Sequence, residues 1–119
     1  MKITRFELGD GAGGRPILSR AVVRGDTVYL SGVTPDAVGD IRAQTRQVLE
    51  RIDALLAKAG TDKSRLLTAQ VWIADMALFD GLNAVWNEWV DRENPPARAC
   101  VRADLVRGCL VEIMVTAAR

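Results

Sequence analysis

The dipeptide Pro95-Pro96 constrains this chain more than any other feature. Proline lacks a backbone N–H and pushes the residue before it out of helical space. A helix arriving from the N-terminal side therefore stops by Asn94, and the chain beyond enters extended. The next five residues, A-R-A-C-V from Ala97 to Val101, read as a β-strand. Side chains alternate along a strand, so Arg98 and Cys100 point to one face. An arginine cannot shed its charge by deprotonation and on an apolar strand calls for an anionic partner. A second strand, Leu110 to Val115, carries a carboxylate, Glu112, inside L-V-E-I-M-V. Together these residues suggest an anion-binding site with an acid/base group close by.

The remaining elements fall around this pair. Lys2 to Leu8 reads as a first strand. The loop after it formally matches the dinucleotide fingerprint G-x-G-x-x-G at Gly9, Gly11 and Gly14, but Arg15-Pro16 leads into extended chain. A phosphate cradle needs those glycines to open a helix, so the segment is read as a connecting loop. Ile17 to Val23 and Thr27 to Ser31 form two short strands joined by Arg24-Gly25-Asp26. Asp40 to Ala59 is a helix: Ile41, Val48, Ile52, Leu55 and Ala59 recur at helical spacing, with Asp40 as N-cap and Gly60 as the C-terminal stop. Leu66 to Ile73 reads as a strand buried on much of both sides. Asp75 to Arg92 is a second helix with Phe79, Leu82, Trp86 and Trp89 along one stripe, and Gly81 inside it marks close packing. Trp72, Trp86 and Trp89 are assigned to the core.

Composition removes several function classes. The 119 residues suit one domain with a single core. Sixteen basic residues against fifteen acidic ones, and 5% aromatic content, give no general pull toward nucleic acid or membranes. With no membrane-length apolar run and no N-terminal apolar segment, a cytoplasmic protein is expected. There is no histidine, which removes Ser-His-Asp and Cys-His nucleophile systems and most zinc and iron ligand sets. Cys100 and Cys109 are expected as reduced thiols. Any chemistry must run on Glu, Asp, Arg, Lys, Cys, Tyr, the backbone or water.

The element order is strand, two hairpin strands, helix, strand, helix, strand, strand, an α+β fold in which two helices cover one face of the sheet. Val71, Ile73, Val111, Ile113 and Val115 suggest that the opposite face is apolar too, which another subunit would have to cover. On periodicity alone, the last two strands form a hairpin.

Several segments in order and spacing resemble the reactive-intermediate (enamine/imine) deaminase family, also called Rid or YjgF-type. They are D-T-V-Y-L-S-G (Asp26 to Gly32), Q-T-R-Q-V-L-E (Gln44 to Glu50), Asp75-Met76, N-A-V-W (Asn83 to Trp86), P-P-A-R-A-C-V and V-E-I (Val111 to Ile113). The resemblance implies a chorismate-mutase-like fold: a mixed sheet of about six strands with two helices on one face. It implies a homotrimer with a barrel-like centre and ligand clefts between subunits. It also replaces the hairpin reading, placing the last strand between the two strands that flank the first helix.

By position, the resemblance makes Arg98 the grip on a substrate carboxylate, Cys100 a cleft cysteine and Glu112 the glutamate at the hydrolytic water. Ser31, Gly32 and Asn83 become cleft residues. Where close relatives of the deaminase prototype carry a tyrosine, this chain has Leu18, in Leu18-Ser19-Arg20, so an extra cation stands near the cleft. The loop Asp104 to Gly108 is a residue shorter than the common form and lacks its proline. The implied reaction is hydrolysis of short 2-imino acids, with their enamine tautomers, to 2-keto acid and ammonia, with no metal or organic cofactor required. Three alternatives stand beside it. Arg98 and Glu112 form a structural ion pair across an interface; the protein is a non-catalytic trimer that binds small carboxylates or partner proteins; or it binds or cleaves nucleic acid, for which no basic patch speaks.

Overall fold

A computed structural model describes residues 1–119. Six strands form one sheet: β1 (Ile3–Leu8), β2 (Ser19–Arg24), β3 (Thr27–Leu30), β4 (Leu66–Ile73), β5 (Ala97–Arg102) and β6 (Val111–Ala118). Their order across the sheet is β1-β2-β3-β6-β4-β5. All neighbours are antiparallel except β4 and β5, which run parallel. Two helices, α1 (Ile41–Lys58) and α2 (Phe79–Trp89), make the crossovers from β3 to β4 and from β4 to β5. The last strand therefore lies between β3 and β4, and the hairpin reading of the two final strands is wrong. Each connection over a helix leaves a gap or an edge, and the C-terminal strand fills the central gap.

The helices form where capping and periodicity coincide. Asp40 accepts a hydrogen bond from the Ala43 N–H, and Gly60 takes the left-handed conformation just past the last turn. Val48, Leu49, Ile52, Leu55 and Leu56 turn to the sheet and are buried, each side chain contributing about 1.5–3 kcal/mol when fully removed from water. The second helix is shorter than its apolar stripe suggests. Asp75 caps a separate 3-10 turn, Met76–Leu78, and α2 stops at Trp89 rather than Arg92. Leu82 and Trp86 are buried, whereas Phe79 and Trp89 are only half-buried. A Cβ on Gly81 would come within 2.7 Å of Ile41 Cγ2, so this glycine lets α2 approach the start of α1.

Strand parity corrects the reading of the sheet's faces. Ala69, Val71, Ile73, Val111, Ile113, Val115 and Ala117 all face the helices and are buried. None of them lines the opposite face, and β4 is buried on one side only. The open face instead carries Tyr29, Thr68, Gln70, Trp72, Ala97, Ala99, Val101, Glu112, Met114 and Thr116, a mixed apolar and polar surface. Tyr29, Val101 and Met114 are exposed on it. The glycine-rich loop holds no helix long enough to face a phosphate, only the 3-10 turn Ala12–Gly14. No helix is long and apolar enough to cross a membrane.

Candidate functional site

Arg98 sits on β5, an edge strand, and points to the helix side, as does Cys100. The Pro95-Pro96 entry and the parallel pairing with β4 set this parity: Arg98 lies beside Ala69, and Cys100 beside Val71. The guanidinium meets α2. Nη2 donates to Asn83 Oδ1 at 2.8 Å, and the charged carbon lies 5.1 Å from the Trp86 ring centre and 6.0 Å from that of Phe79. Cation–π contacts of this kind contribute about 0.5–2 kcal/mol each, the more so when dry. Nη1 is buried and has no hydrogen-bond partner. The two ion pairs of the chain, Arg51–Asp36 and Lys58–Glu7, lie elsewhere. Arg98 is thus a half-buried cation with no carboxylate partner within the chain.

Glu112 stands on the other side of the sheet. It pairs with Trp72, which pairs in turn with Val101, so its row lies about 10 Å along the strands from that of Arg98. The expected proximity of the two residues does not exist within one chain. Glu112 instead lies over Gly32: a Cβ there would meet the carboxylate, with Cδ at 3.1 Å. Only glycine leaves that space. The Glu112 carboxyl is pushed above its ordinary range because half-burial penalises the charged form. Ser31 precedes Gly32, and its hydroxyl donates to the Ser19 carbonyl at 2.6 Å, so it ties the end of β3 to the start of β2. Leu18 is half-buried just before β2, and Arg20 is exposed on β2, with its carbonyl accepting from the Ser31 N–H.

The thiol of Cys100 is pushed up by burial, an effect that the Arg98 charge only partly offsets. That shift favours the thiol over the thiolate, and the side chain lies on the Arg98 face of β5. Cys109 is buried and both thiols are free. No group of acidic, cysteine or histidine side chains is arranged to hold a metal ion. The structure therefore builds two half-sites, one of Arg98, Asn83 and Cys100 beside α2, the other of Glu112, Gly32 and Ser31 on the open face. The aromatic bracket of Phe79 and Trp86 was missed in the sequence, where both read as a core stripe. The four-residue step from Phe79 to Asn83 and the three-residue step on to Trp86 do put all three on one helix face, and that is the signal that could have found it.

The sequence profile of the family described as Endoribonuclease L-PSP matches residues 15–119. A RutC family protein of Haemophilus influenzae is 44% identical over 90 residues, 74% of this chain and 78% of the relative. The chain belongs to the Rid/YjgF family. A crystal structure of a YjgF-family member from Neisseria meningitidis superposes on this Rid/YjgF chain with a TM-score of 0.90 at 38% identity, covering 100% of this chain and 96% of the other. The 3-aminoacrylate deaminase RutC of Acinetobacter baylyi is 38% identical over 94 residues, 72% of this chain and 74% of that protein. A Rid/YjgF fold is thus shared with solved relatives, and one similar protein carries the name 3-aminoacrylate deaminase.

Proposed function

We propose that this Rid/YjgF protein hydrolyses reactive enamine and imine intermediates of the 2-imino acid class to 2-keto acid and ammonia. The observation that carries the reading is the unsatisfied guanidinium of Arg98. Leaving a buried donor unpaired costs about 1–3 kcal/mol, a cost that a substrate carboxylate would remove. Asn83 fixes one nitrogen through a neutral amide, and the rings of Phe79 and Trp86 hold the plane. After a small rotation, Nη1 and the second hydrogen of Nη2 face a carboxylate with two parallel donors, a geometry that lysine lacks.

Water adds to the imine carbon and gives a tetrahedral amino alcohol. Glu112 orients that water, takes its proton and returns a proton to the nitrogen. The hydroxyl proton then passes to the nitrogen by the same relay as the C–N bond breaks, so ammonia leaves and the carbonyl remains. The raised carboxyl pKa of Glu112 suits a group that both accepts and donates near neutral pH. Acid/base help of this kind supplies about 10²–10⁴-fold, enough for substrates that already hydrolyse unaided. Because Arg98 and Glu112 face opposite sides of the sheet, one working cleft takes the two half-sites from neighbouring copies. The homotrimer expected from the resemblance supplies that arrangement. Its clefts hold a small carboxylate-bearing substrate, and damage control of reactive metabolites is the corresponding role.

The similarity to a 3-aminoacrylate deaminase supports the reaction class. Replacing the prototype's tyrosine by Leu18 bears on which substrate side chain fits. The test couples the purified protein to an amino-acid oxidase that releases the imine in situ and times 2-keto acid formation. Acceleration that Arg98→Ala abolishes is the expected result. Unchanged acceleration in that variant refutes the grip, and carboxylate binding without any acceleration makes the protein a binding module instead.

A further inference from the structure

Glu112 makes no hydrogen bond or ion pair within the chain. Its aim is therefore set by the backbone that carries it and by the bare surface of Gly32. Its ladder with β4 holds that backbone, and four hydrogen bonds outside the ladder add to it. Leu110 accepts from the Ala74 N–H at 3.0 Å, and Val33 and Ile113 exchange bonds of 2.8 and 3.1 Å. The fourth comes from a side chain: the Leu110 N–H donates to Gln44 Oε1 at 2.9 Å.

Gln44 lies in the first turns of α1 and is 3% exposed. The other end of its amide donates to the Gly39 carbonyl at 3.0 Å. One buried side chain thus links the loop before α1 to the lead-in of β6. Nearby, Arg51 donates to the Thr34 carbonyl at 2.6 Å and to Asp36 at 2.7 Å, while Gln47 and Asp36 exchange two further bonds. The same helix therefore braces both the segment after Gly32 and the segment that precedes Glu112.

We infer that Gln44 is a positioning residue for Glu112: it fixes the Leu110 peptide and so holds the carboxylate over Gly32. The inference rests on the deaminase reading for its kinetic consequence but not for its geometry. Without Gln44 the part-buried Leu110 N–H is left unpaired, and the start of β6 shifts to find water. A displacement near 1 Å at a reacting group costs about a hundredfold in rate. Substrate affinity, which Arg98 supplies from the other half-site, stays unchanged.

The test is a double-mutant cycle with Gln44→Met and Glu112→Gln, read as kcat and KM on an imine generated in situ. Gln44→Met is expected to lower kcat by about ten- to a hundredfold with KM within about twofold. In the Glu112→Gln background it should cause no further loss, because the two residues act as one unit. An equal loss in both backgrounds overturns the inference and leaves Gln44 a packing residue. Gln44→Asn, still an amide but one methylene shorter, serves if the methionine variant folds poorly. Should the wild type show no turnover, the deaminase reading fails while the positioning is read by NMR. There, Gln44→Met shifts the Glu112 carboxyl resonance and leaves the Asn83 side-chain amide in place. Movement of both or of neither refutes it.

Discussion

Replacing Arg98 by methionine separates a binding arginine from a structural one, because only the structural role carries a large loss of stability. Methionine keeps the unbranched stem that packs beside Trp86 and Phe79 and removes the charge. In the folded chain Arg98 has one neutral hydrogen bond to Asn83, one buried unpaired nitrogen and no carboxylate. The lost bond contributes about 1.5–3 kcal/mol, and the two cation–π contacts about 0.5–2 kcal/mol each. The relieved desolvation of an unpaired donor is worth about 1–3 kcal/mol, and more for a charged group. The two sides are of similar size and largely cancel, so thermal unfolding of Arg98→Met should fall within a few degrees of wild type. Carboxylate affinity should fall. Loss of two charge-assisted bonds of about 1.5–3 kcal/mol each weakens binding of pyruvate, measured by calorimetric titration, by at least a hundredfold. A drop in melting temperature of ten degrees or more with binding intact would refute the reasoning, since it would make Arg98 a structural linchpin.

Three further outcomes rest on the same geometry. Burial raises the Glu112 pKa, so the native state favours the protonated form: its contribution is fully present below the unfolded-state pKa and is lost as pH rises through the folded one. Glu112→Gln should therefore raise the melting temperature at pH 7–8 and leave it unchanged near pH 3, a contrast visible in calorimetry across pH. Gly32→Ala places a methyl against the end of the Glu112 side chain, which can swing aside. Its melting temperature should stay within a few degrees of wild type while kcat falls by about a hundredfold. Cys100→Ser keeps a small side chain beside Arg98 in place of a thiol that is protonated at neutral pH, so turnover should fall by less than about tenfold. Loss on the scale of a missing nucleophile would contradict the assignment of Cys100 as a lining residue.

Local signals made part of this molecule legible in advance. Asp40, the apolar spacing of α1 and Gly60 fixed the first helix almost to the residue, since capping and periodicity agree there. Pro95-Pro96 and strand alternation placed Arg98 and Cys100 on one face, which the parallel pairing with β4 bears out. Non-local facts were hidden. Nothing in Val111–Ala118 says that it runs between β3 and β4, because that position depends on the gap left by the α1 crossover; the family resemblance supplied it. For the same reason the faces of Val71, Ile113 and Glu112 were misjudged: parity within one strand is local, but which parity meets the helices is set by pairing across the sheet. Gln44 read as one polar residue of an amphipathic helix, because its two partners, Gly39 and Leu110, are brought together only by folding.

Complementation tests most directly the claim that Arg98 and Glu112 from different copies build one cleft. Arg98→Ala and Glu112→Gln, each strongly impaired alone, are unfolded together in equal amounts, refolded and assayed for 2-keto acid release. In a closed ring of copies about one interface in four then carries both native residues, so recovery of about a quarter of wild-type activity is expected. Activity that stays at the level of the separate variants, in a mixture shown by mass spectrometry to contain hetero-oligomers, would contradict a shared site.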